Sequence, residues 1–455
     1  MKRLLLILLS AILLGNSYSQ NTESSFFWLN QVDGYDSKIR AKSATEIATA
    51  SICPQTGNEM FTFIKDANTM LYAIVPYGYS INDFVVLDSC IFFCGRNLLD
   101  SCGYIGIFDV TVATLDIGGY KFVNIEKTSE LNKIVAYNAY GLSDKFGVVA
   151  IGKPSVSGFK SCVVDLNNYL HNYWSYTVGL SGEDRITDIT LVGSDNSEIV
   201  TVGQSYVSTS NSNNSLVVYS PRMYIRTYKG EAVLSSGMED VLNEYRNIRM
   251  SPTSPFKVSK LNNYNIAVSA TVVIPGVHFT PPTYGIETKR ISLSSMEMNK
   301  IQFVNDVNGT LKEVAYFASN NKMAMLNRDT NGTDVIFFVD LNKTVDYTSS
   351  RIRRDYTSFN SIFSYDNTHF LATGMVDSPV ISSLSILQAG VNNFSTSECV
   401  VTRSTQVTNN EVSTYPNYNS VICFDKQSYI AEFELKFAAI YETNVDVRCL
   451  NYYNN

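Results

Sequence analysis

Carboxylates are the side chains of this sequence best suited to chemistry. Asp83, Asp188, Glu313 and Asp366 each stand at or near the start or the end of an extended apolar run. Two carboxylates about 5–10 Å apart can cleave a glycosidic bond by acid and base catalysis. Three of these residues recur at the start of the first run of a repeating unit. That regularity favours a structural role, such as accepting hydrogen bonds from turn amides, over catalysis.

Other catalytic patterns are missing from the sequence. There is no G-x-S-x-G elbow, no phosphate-binding glycine loop and no C-x-x-C pair. The three histidines, His171, His278 and His369, are isolated from the cysteines, which argues against a zinc site. His369 opens the apolar run HFLATG and is interpreted as a packed or capped residue.

The segment 329–334 spaces oxygen side chains around a glycine, as a calcium loop does, but lacks the distal glutamate, so a hairpin turn is favoured. We therefore predict no catalytic residue, no cofactor and no metal site. Whether the chain is an enzyme stays open, with a non-enzymatic role favoured.

Composition narrows the possible partners. The chain has 455 residues, 45% of them hydrophobic and 17% charged, which excludes a disordered chain, a coiled coil or a collagen-like fibre. The net charge of −7 argues against a nucleic-acid partner. Its 29 tyrosines favour non-covalent binding of a protein or a glycan, because tyrosine provides contact area at low entropic cost.

The N-terminus has the pattern of a signal peptide over residues 1–19. Lys2 and Arg3 precede an apolar run from Leu4 to Leu14, and Ser17 and Ser19 suit cleavage before Gln20. The run is too short for a resident membrane helix, although an uncleaved anchor is the alternative. No later apolar stretch is long enough to span a membrane. We predict an exported protein: periplasmic, cell-surface or secreted.

An even number of cysteines in an exported chain permits disulfides. Cys94 and Cys102 flank a short loop and are candidates for a hairpin staple, whereas Cys90 and Cys94 are too far apart to bond if one strand holds both. Free buried thiols are the alternative, above all for Cys162. The eight positions are Cys53, Cys90, Cys94, Cys102, Cys162, Cys399, Cys423 and Cys449.

A pattern of four extended runs recurs about every 50 residues, and the second run often ends in glycine. The first runs begin near residues 83, 133, 186, 258, 311 and 360, and residues 45–80 hold a further candidate unit. Four antiparallel strands per unit predict an all-β fold, a β-propeller of about seven four-stranded blades, with six or eight possible. Two β-sandwich domains are the alternative.

One interval between the units is longer than the others. It contains residues 238–250, where Val241, Leu242, Tyr245 and Ile248 have helical spacing, and this predicts one short helical insertion. We expect residues 20–455 to form a single propeller domain whose C-terminal segment closes the ring.

Two places resemble the repeat of exported bacterial β-propeller proteins. One has Trp174, Gly179, Gly182, Asp184 and Asp188, followed by IVTVG at 199–203. The other is FFWLNQVDGYD at 26–36. In that repeat a tryptophan on an outer strand leads through a turn with glycine and aspartate into the next inner strand. The resemblance implies an exported binding scaffold without defined catalytic residues.

The sequence does not identify one biochemical activity. We expect an exported, non-catalytic propeller that binds a protein or glycan through loops at its rim. The alternative is an extracytoplasmic carbohydrate-active enzyme with two carboxylates near the axis. A purely structural surface component is a third interpretation.

Overall fold

The structure is a computed structural model in which part of the chain is described. The described residues are 24–28, 35–43, 46–52, 56–65, 69–110, 120–138, 146–155, 161–167, 172–178, 185–194, 198–210, 217–229, 237–239, 244–245, 248–249, 251–252, 255–274, 281, 283–294, 297–305, 307–353, 357–377, 382–390, 401–410, 418–420, 423–424, 431–433 and 439–444.

The described residues form β-strands joined by turns. The strands of the first half are β1 (Ser24–Trp28), β2 (Tyr35–Ala41), β3 (Ile47–Ile52), β4 (Glu59–Lys65), β5 (Thr69–Ile74), β6 (Tyr79–Leu87), β7 (Cys90–Asn97), β8 (Cys102–Asp109), β9 (Tyr120–Ile125), β10 (Thr128–Asn138), β11 (Phe146–Pro154), β12 (Ser161–Asn167), β13 (Asn172–Val178), β14 (Arg185–Val192), β15 (Glu198–Ser210) and β16 (Val217–Lys229).

The strands of the second half are β17 (Gly237–Glu239), β18 (Glu244–Tyr245), β19 (Ile248–Arg249), β20 (Ser251–Pro252), β21 (Lys257–Lys260), β22 (Asn265–Ile274), β23 (Thr283–Ser292), β24 (Glu297–Val304), β25 (Val307–Phe317), β26 (Lys322–Asp329), β27 (Asp334–Asp340), β28 (Tyr347–Arg353), β29 (Thr357–Ser364), β30 (His369–Asp377), β31 (Ser382–Gly390), β32 (Val401–Asn410), β33 (Tyr418–Ser420), β34 (Cys423–Phe424), β35 (Ala431–Phe433) and β36 (Ala439–Asn444).

Consecutive strands pair antiparallel into meanders of three or four strands. Within the described ranges these meanders are β2–β5, β6–β9, β10–β13, β14–β16, β21–β24, β25–β28 and β29–β31. Strand β32 pairs with both β24 and β28 and so joins two meanders into one larger sheet. The prediction of an all-β fold made of small antiparallel sheets is confirmed.

The first strands of successive meanders contact one another. Strand β6 contacts β2 and β10, β14 contacts β10 and β21, and β25 contacts β21 and β29. Strand β29, the first strand of the last meander, also contacts β2, the first strand of the first meander. Side chains at equivalent positions of these strands are therefore brought to one place.

The hydrophobic core lies between consecutive meanders. Residues on β4 and β7 illustrate the packing: the rings of Phe61 and Phe93 meet edge to face, with centroids 4.9 Å apart. In the described part of the chain, each of seven buried clusters joins two meanders, and one of them joins Leu371 of the last meander to Ile39 of the first. Faces that would be exposed in an isolated sheet are thereby removed from water, which is the main favourable term in folding.

Strands from both ends of the chain pair with these meanders. Strand β1 pairs with β31 and becomes the fourth strand of the last sheet. The C-terminal strands pair in reverse order of sequence: β33 with β17, β34 with β13, β35 with β9 and β36 with β5. Strand β36 pairs with all six residues of β5, whereas β34 and β35 pair with two residues of β13 and three residues of β9. An edge residue that already has a partner strand cannot pair with another chain.

The predicted helical insertion at 238–250 is wrong for the described residues of that segment. They form the short strands β17, β18 and β19, and Tyr245 pairs with Ile248 across a hairpin. A single helix of about 13 residues is marginal in water, so strand pairing overrides the helical spacing. Strand β17 pairs with β33 of the C-terminal region, and the spacing of residues within 238–250 cannot reveal this distant partner.

The structure describes four of the cysteine side chains. Cys90, Cys94, Cys102 and Cys162 are free thiols. Cys90 and Cys94 share strand β7, and Cys94 lies opposite Ile105 while Cys102 lies opposite Asn97. The register therefore separates the two candidates for a hairpin staple. Pairing among the remaining cysteines stays a prediction.

Among the described residues, no helix has the length and apolar character needed to cross a membrane.

Candidate functional site

One position of the first strands carries a polar residue in every meander. Its charge alternates from β2 to β25, positive then negative, and β29 supplies a neutral serine. Because β29 also contacts β2, which carries Lys38, a neutral residue on β29 avoids a like-charge contact between these two strands. The residues are Lys38, Asp83, Lys133, Asp188, Lys257, Glu313 and Ser361; with Arg40 they form what we call the charged cluster.

β-Bulges position these side chains. In six of the seven meanders the pairing of the first and second strands shifts just before the polar residue, as between Ile81 and Asp83 or between Leu131 and Lys133. The same shift precedes Asp188 in β14. A bulge inserts one unpaired residue and re-aims the side chains that follow it. The recurring bulge explains why the polar residue occupies the same place in successive sheets.

The glycine near the end of the second run makes room for the bulge. A Cβ on Gly95 would lie 1.6 Å from the carbonyl oxygen of Ser80, and one on Gly152 would lie 2.0 Å from that of Glu130. These approaches are too close for any other residue. The repeated glycine is therefore the sequence signal of the bulge.

Arg40 lies at the centre of the charged cluster. It stands two residues after Lys38 and so faces the same side of β2. Its Nη2 lies 2.9 Å from Asp83 Oδ1 and also 2.9 Å from Glu313 Oε1. The guanidinium carbon is 5.8 Å from the centroid of the Phe84 ring, within the range of a cation–π contact. One cation therefore bridges two carboxylates from different sheets.

The carboxylates also bind the backbone of the next first strand. Asp83 Oδ2 accepts the Ile134 N–H at 3.2 Å, and Asp188 Oδ2 accepts the Val258 N–H at 2.9 Å. In both bonds the carboxylate belongs to the first strand of one meander. The N–H belongs to the first strand of the following meander, at the residue directly after the polar position. These repeated bonds fasten neighbouring meanders together.

The last two meanders continue this pattern. Glu313 Oε2 accepts the Ile362 N–H at 2.9 Å and also accepts the hydroxyl of Ser361. The Ser361 oxygen in turn accepts the Ile39 N–H of β2 at 3.3 Å. The neutral serine thus makes the same type of link as the carboxylates.

Neighbouring cations keep two carboxylates ionised. Burial by itself would raise the pKa of Asp83, but Lys133 and then Arg40 outweigh it, so the pKa lies below its ordinary value. Burial acts on Glu313 in the same way, and Arg40 followed by Lys133 lowers its pKa. Both groups therefore carry a negative charge at neutral pH.

The lysines of the cluster fall into two groups. Burial opposes the charge of Lys133, but Asp83, 3.8 Å from its ammonium, outweighs burial and raises the pKa. The pKa of Lys257 is lowered by burial first and by Lys133 second, and burial likewise lowers the pKa of Lys38. Among the described residues, neither Lys38 nor Lys257 has a carboxylate within 4.0 Å.

The charged side chains surround a cavity of about 240 Å³. Its wall combines charged groups with apolar side chains such as Val135, Val314 and Phe363. The charged lining residues are Arg40, Asp83, Lys133, Asp188, Lys257 and Glu313. The cavity is thus a place where several meanders present polar groups to one small volume.

The structure brings together three of the four candidate carboxylates. Asp83, Asp188 and Glu313 all line the cavity. Asp366 does not: it lies in the exposed turn before β30, where its Oδ2 is 2.9 Å from His369 Nδ1. Its Oδ1 accepts the backbone N–H of His369 at 2.6 Å, so the pair caps that turn. His171 and His278 lie outside the described residues.

Sequence reasoning missed the basic residues of the cluster. Lys38, Arg40, Lys133 and Lys257 precede or interrupt short apolar runs, where isolated cations are usually exposed. The available signal was the shared position, a polar residue directly before Ile, Val or Phe in every first run.

The segment 329–334 forms a turn, as its sequence favoured. Asp329 Oδ1 accepts the N–H groups of Asn331 and Thr333 at 2.9 and 3.0 Å. Asp334 pairs with Lys312 at 3.0 Å. Both carboxylates are thus engaged by groups of the protein itself.

No protein-family model matches this chain, and no curated protein matches it significantly. Fold and site therefore define the class of protein: an all-β chain of small antiparallel sheets whose first strands share a buried cluster of alternating charges.

Proposed function

We propose that the meanders are the seven blades of a β-propeller. The contacts between successive first strands, including β29 with β2, support this arrangement. The hydrophobic clusters support it as well, because each lies between consecutive meanders. Radial packing of this kind lets every four-stranded sheet bury both faces.

Both chain ends fit this proposal. Strand β1 supplies the fourth strand of the last blade, next to β31. The C-terminal segment is expected to close the ring, and the pairing of its strand β36 with β5 of the first blade supports this expectation. Trp28 and Trp174 each lie on the fourth strand of a sheet, directly before the first strand of the next, which supports the resemblance to exported propeller repeats.

Within this fold, the protein acts as a non-catalytic scaffold. One observation carries this conclusion: Asp83 and Glu313 are already bound by groups of the protein. A glycosidase pair needs one protonated carboxyl with a raised pKa. Here the pKa of Asp83 and that of Glu313 are both lowered, burial being outweighed by nearby cations. Arg40 occupies the space between them, so neither can serve as a general acid.

The ligand binds through exposed loops. Tyr77, Leu98 and Leu99 are 81%, 54% and 67% exposed on two neighbouring turns, which are joined by a 2.7 Å hydrogen bond from the Leu98 N–H to Gly78. Two exposed leucines beside a tyrosine favour a protein ligand over a glycan, because sugar hydroxyls need hydrogen-bonding partners. The expected export to the cell exterior gives the setting for this binding.

The catalytic alternative is tested directly. The purified chain is incubated with a panel of polysaccharides, and new reducing ends are measured. We expect none. New reducing ends that disappear in Glu313→Gln would overturn the non-catalytic function and support a carbohydrate-active enzyme.

The binding surface is tested by paired capture experiments. Proteins of the extracellular medium are captured with the wild-type chain and with Leu98→Ser/Leu99→Ser, and a glycan array is probed in parallel. We expect specific proteins to be lost with the double variant. Binding on the array alone would replace a protein ligand with a glycan, and identical capture by both chains would remove these turns from the interface.

A further inference from the structure

One basic side chain on the wall of the charged cavity has no close carboxylate partner among the described residues. This side chain is Lys257, and no carboxylate among the described residues lies within 4.0 Å of it. Asp83 and Glu313 are bound by Arg40 and by backbone N–H groups. Cations with no close partner, in a partly buried space, are most stable next to an anion.

Asp188 also retains bonding capacity. Its Oδ2 accepts the Val258 N–H, whereas no donor to its Oδ1 is found in the part of the chain that the structure describes. An ionised carboxylate has room for several hydrogen bonds. The wall thus offers, within the same cavity, the ammonium of Lys257 and an Asp188 oxygen to which no described residue donates.

We infer that this cavity is a binding site for a small hydroxy acid, whose carboxylate pairs with Lys257 and whose hydroxyl donates to Asp188. The cavity of about 240 Å³ is smaller than the roughly 300–1,000 Å³ of pockets for drug-sized ligands, which favours a small molecule over a polymer. Arg40, Asp83, Lys133 and Glu313 hold one another and form the rigid part of the wall.

This site is separate from the loop surface that carries the proposed function. Tyr77 and Leu99 lie on turns, whereas the cavity is formed by the first strands. Failure of hydroxy-acid binding therefore leaves the scaffold function intact, and loss of loop binding leaves the cavity untouched.

The test uses calorimetric titration of the full chain with four probes. Sodium D-glucuronate has both groups, glucose has only hydroxyls, acetate has only a carboxylate, and inorganic phosphate is an anion of another class. We expect glucuronate to bind at least about tenfold more tightly than glucose or acetate, because each of those lacks one of the two charged hydrogen bonds.

Variants locate the binding in the cavity. Lys257→Gln removes the positive charge that pairs with the ligand carboxylate and is expected to weaken glucuronate binding about tenfold or more. Lys153→Gln, which alters an exposed lysine on β11, is the matched control and should leave binding unchanged.

Three results would overturn the inference: equal binding of glucuronate and glucose, no binding of glucuronate, or equal affinity in wild type and Lys257→Gln. Phosphate binding tighter than glucuronate binding would replace the hydroxy acid with a phosphate ligand. If Lys257→Gln does not fold, the comparison of probes on the wild-type chain still tests the preference for a hydroxy acid.

Discussion

Asp83 of the charged cluster and Asp165 of β12 are buried to a similar degree, at 2% and 8% exposure. Their acid–base behaviour is opposite. The pKa of Asp83 is lowered because Lys133 and Arg40 outweigh burial, whereas burial raises the pKa of Asp165 to about 6. Burial alone therefore does not decide the charge state of a carboxylate in this protein; the neighbours do.

The surroundings of Asp165 explain the difference. It lies opposite Val149 of β11, on the face that packs against the fourth meander. Among the residues that the structure describes, the one side-chain donor to Asp165 is the Tyr137 hydroxyl at 3.3 Å. A neutral donor at this distance offsets little of the desolvation cost. The charged cluster, in contrast, compensates Asp83 and Glu313 each with a cation and a backbone N–H.

The largest expected effect comes from removing the shared cation. Arg40→Met leaves Asp83 and Glu313 close together without their common partner, and breaking a buried ion pair costs about 3–5 kcal/mol. We expect the free energy of unfolding, measured in urea, to fall by about this amount. Arg40→Lys, which keeps the charge, should lose less. A change below about 1 kcal/mol in Arg40→Met would mean that the cluster is not coupled.

Asp165→Asn should raise the free energy of unfolding, whereas Arg40→Met should lower it. Because the folded pKa of about 6 exceeds the unfolded value, the folded state holds more protons between about pH 4 and 6, and stability falls as pH rises through that window. Removing the carboxylate should therefore stabilise the protein at pH 7.5 by about 2–3 kcal/mol. Urea unfolding at pH 7.5 and pH 4 measures this. A gain that persists at pH 4 would point to a cause other than ionisation.

Glu313→Gln tests how much the charge of a cluster carboxylate contributes to stability, for comparison with Asp165. It keeps an acceptor for Ile362 but removes the charge that faces Arg40, and we expect a loss of about 2 kcal/mol at pH 7. The folded pKa of Glu313 is lowered, so its stabilisation is present above its unfolded pKa and is lost as pH falls through the folded value. The difference between variant and wild type should shrink on acidification. A difference independent of pH would contradict this account.

The smallest effect is expected at an exposed pair. Lys153 lies 2.8 Å from Glu130, but its side chain is 60% exposed. Solvent screens such pairs, so Lys153→Met should change the unfolding free energy by less than about 1 kcal/mol. The effect should also vanish in high salt. A loss as large as that of Arg40→Met would show that distance, rather than burial and shared partners, controls these interactions.

Much of the fold can be predicted from short-range patterns in the sequence. Alternating apolar residues and recurring turns predicted small antiparallel sheets. The glycine near the end of the second run was visible in the sequence, and the structure shows that it accompanies the bulge. The error at 238–250 has the same origin, since local spacing there matched a helix while β17 finds its partner in the distant strand β33. Edge pairing by C-terminal strands follows no local rule and was not predictable in detail.

The sequence by itself determined the all-β character of the chain and the recurrence of polar residues such as Asp83 and Glu313 at one strand position. Both follow from side-chain periodicity, which acts over a few residues. Only the tertiary structure decided that Arg40 joins these carboxylates, which lie 43 and 273 positions away along the chain. Electrostatic coupling depends on distance in space and on exclusion of water, and neither is encoded in any one run of sequence.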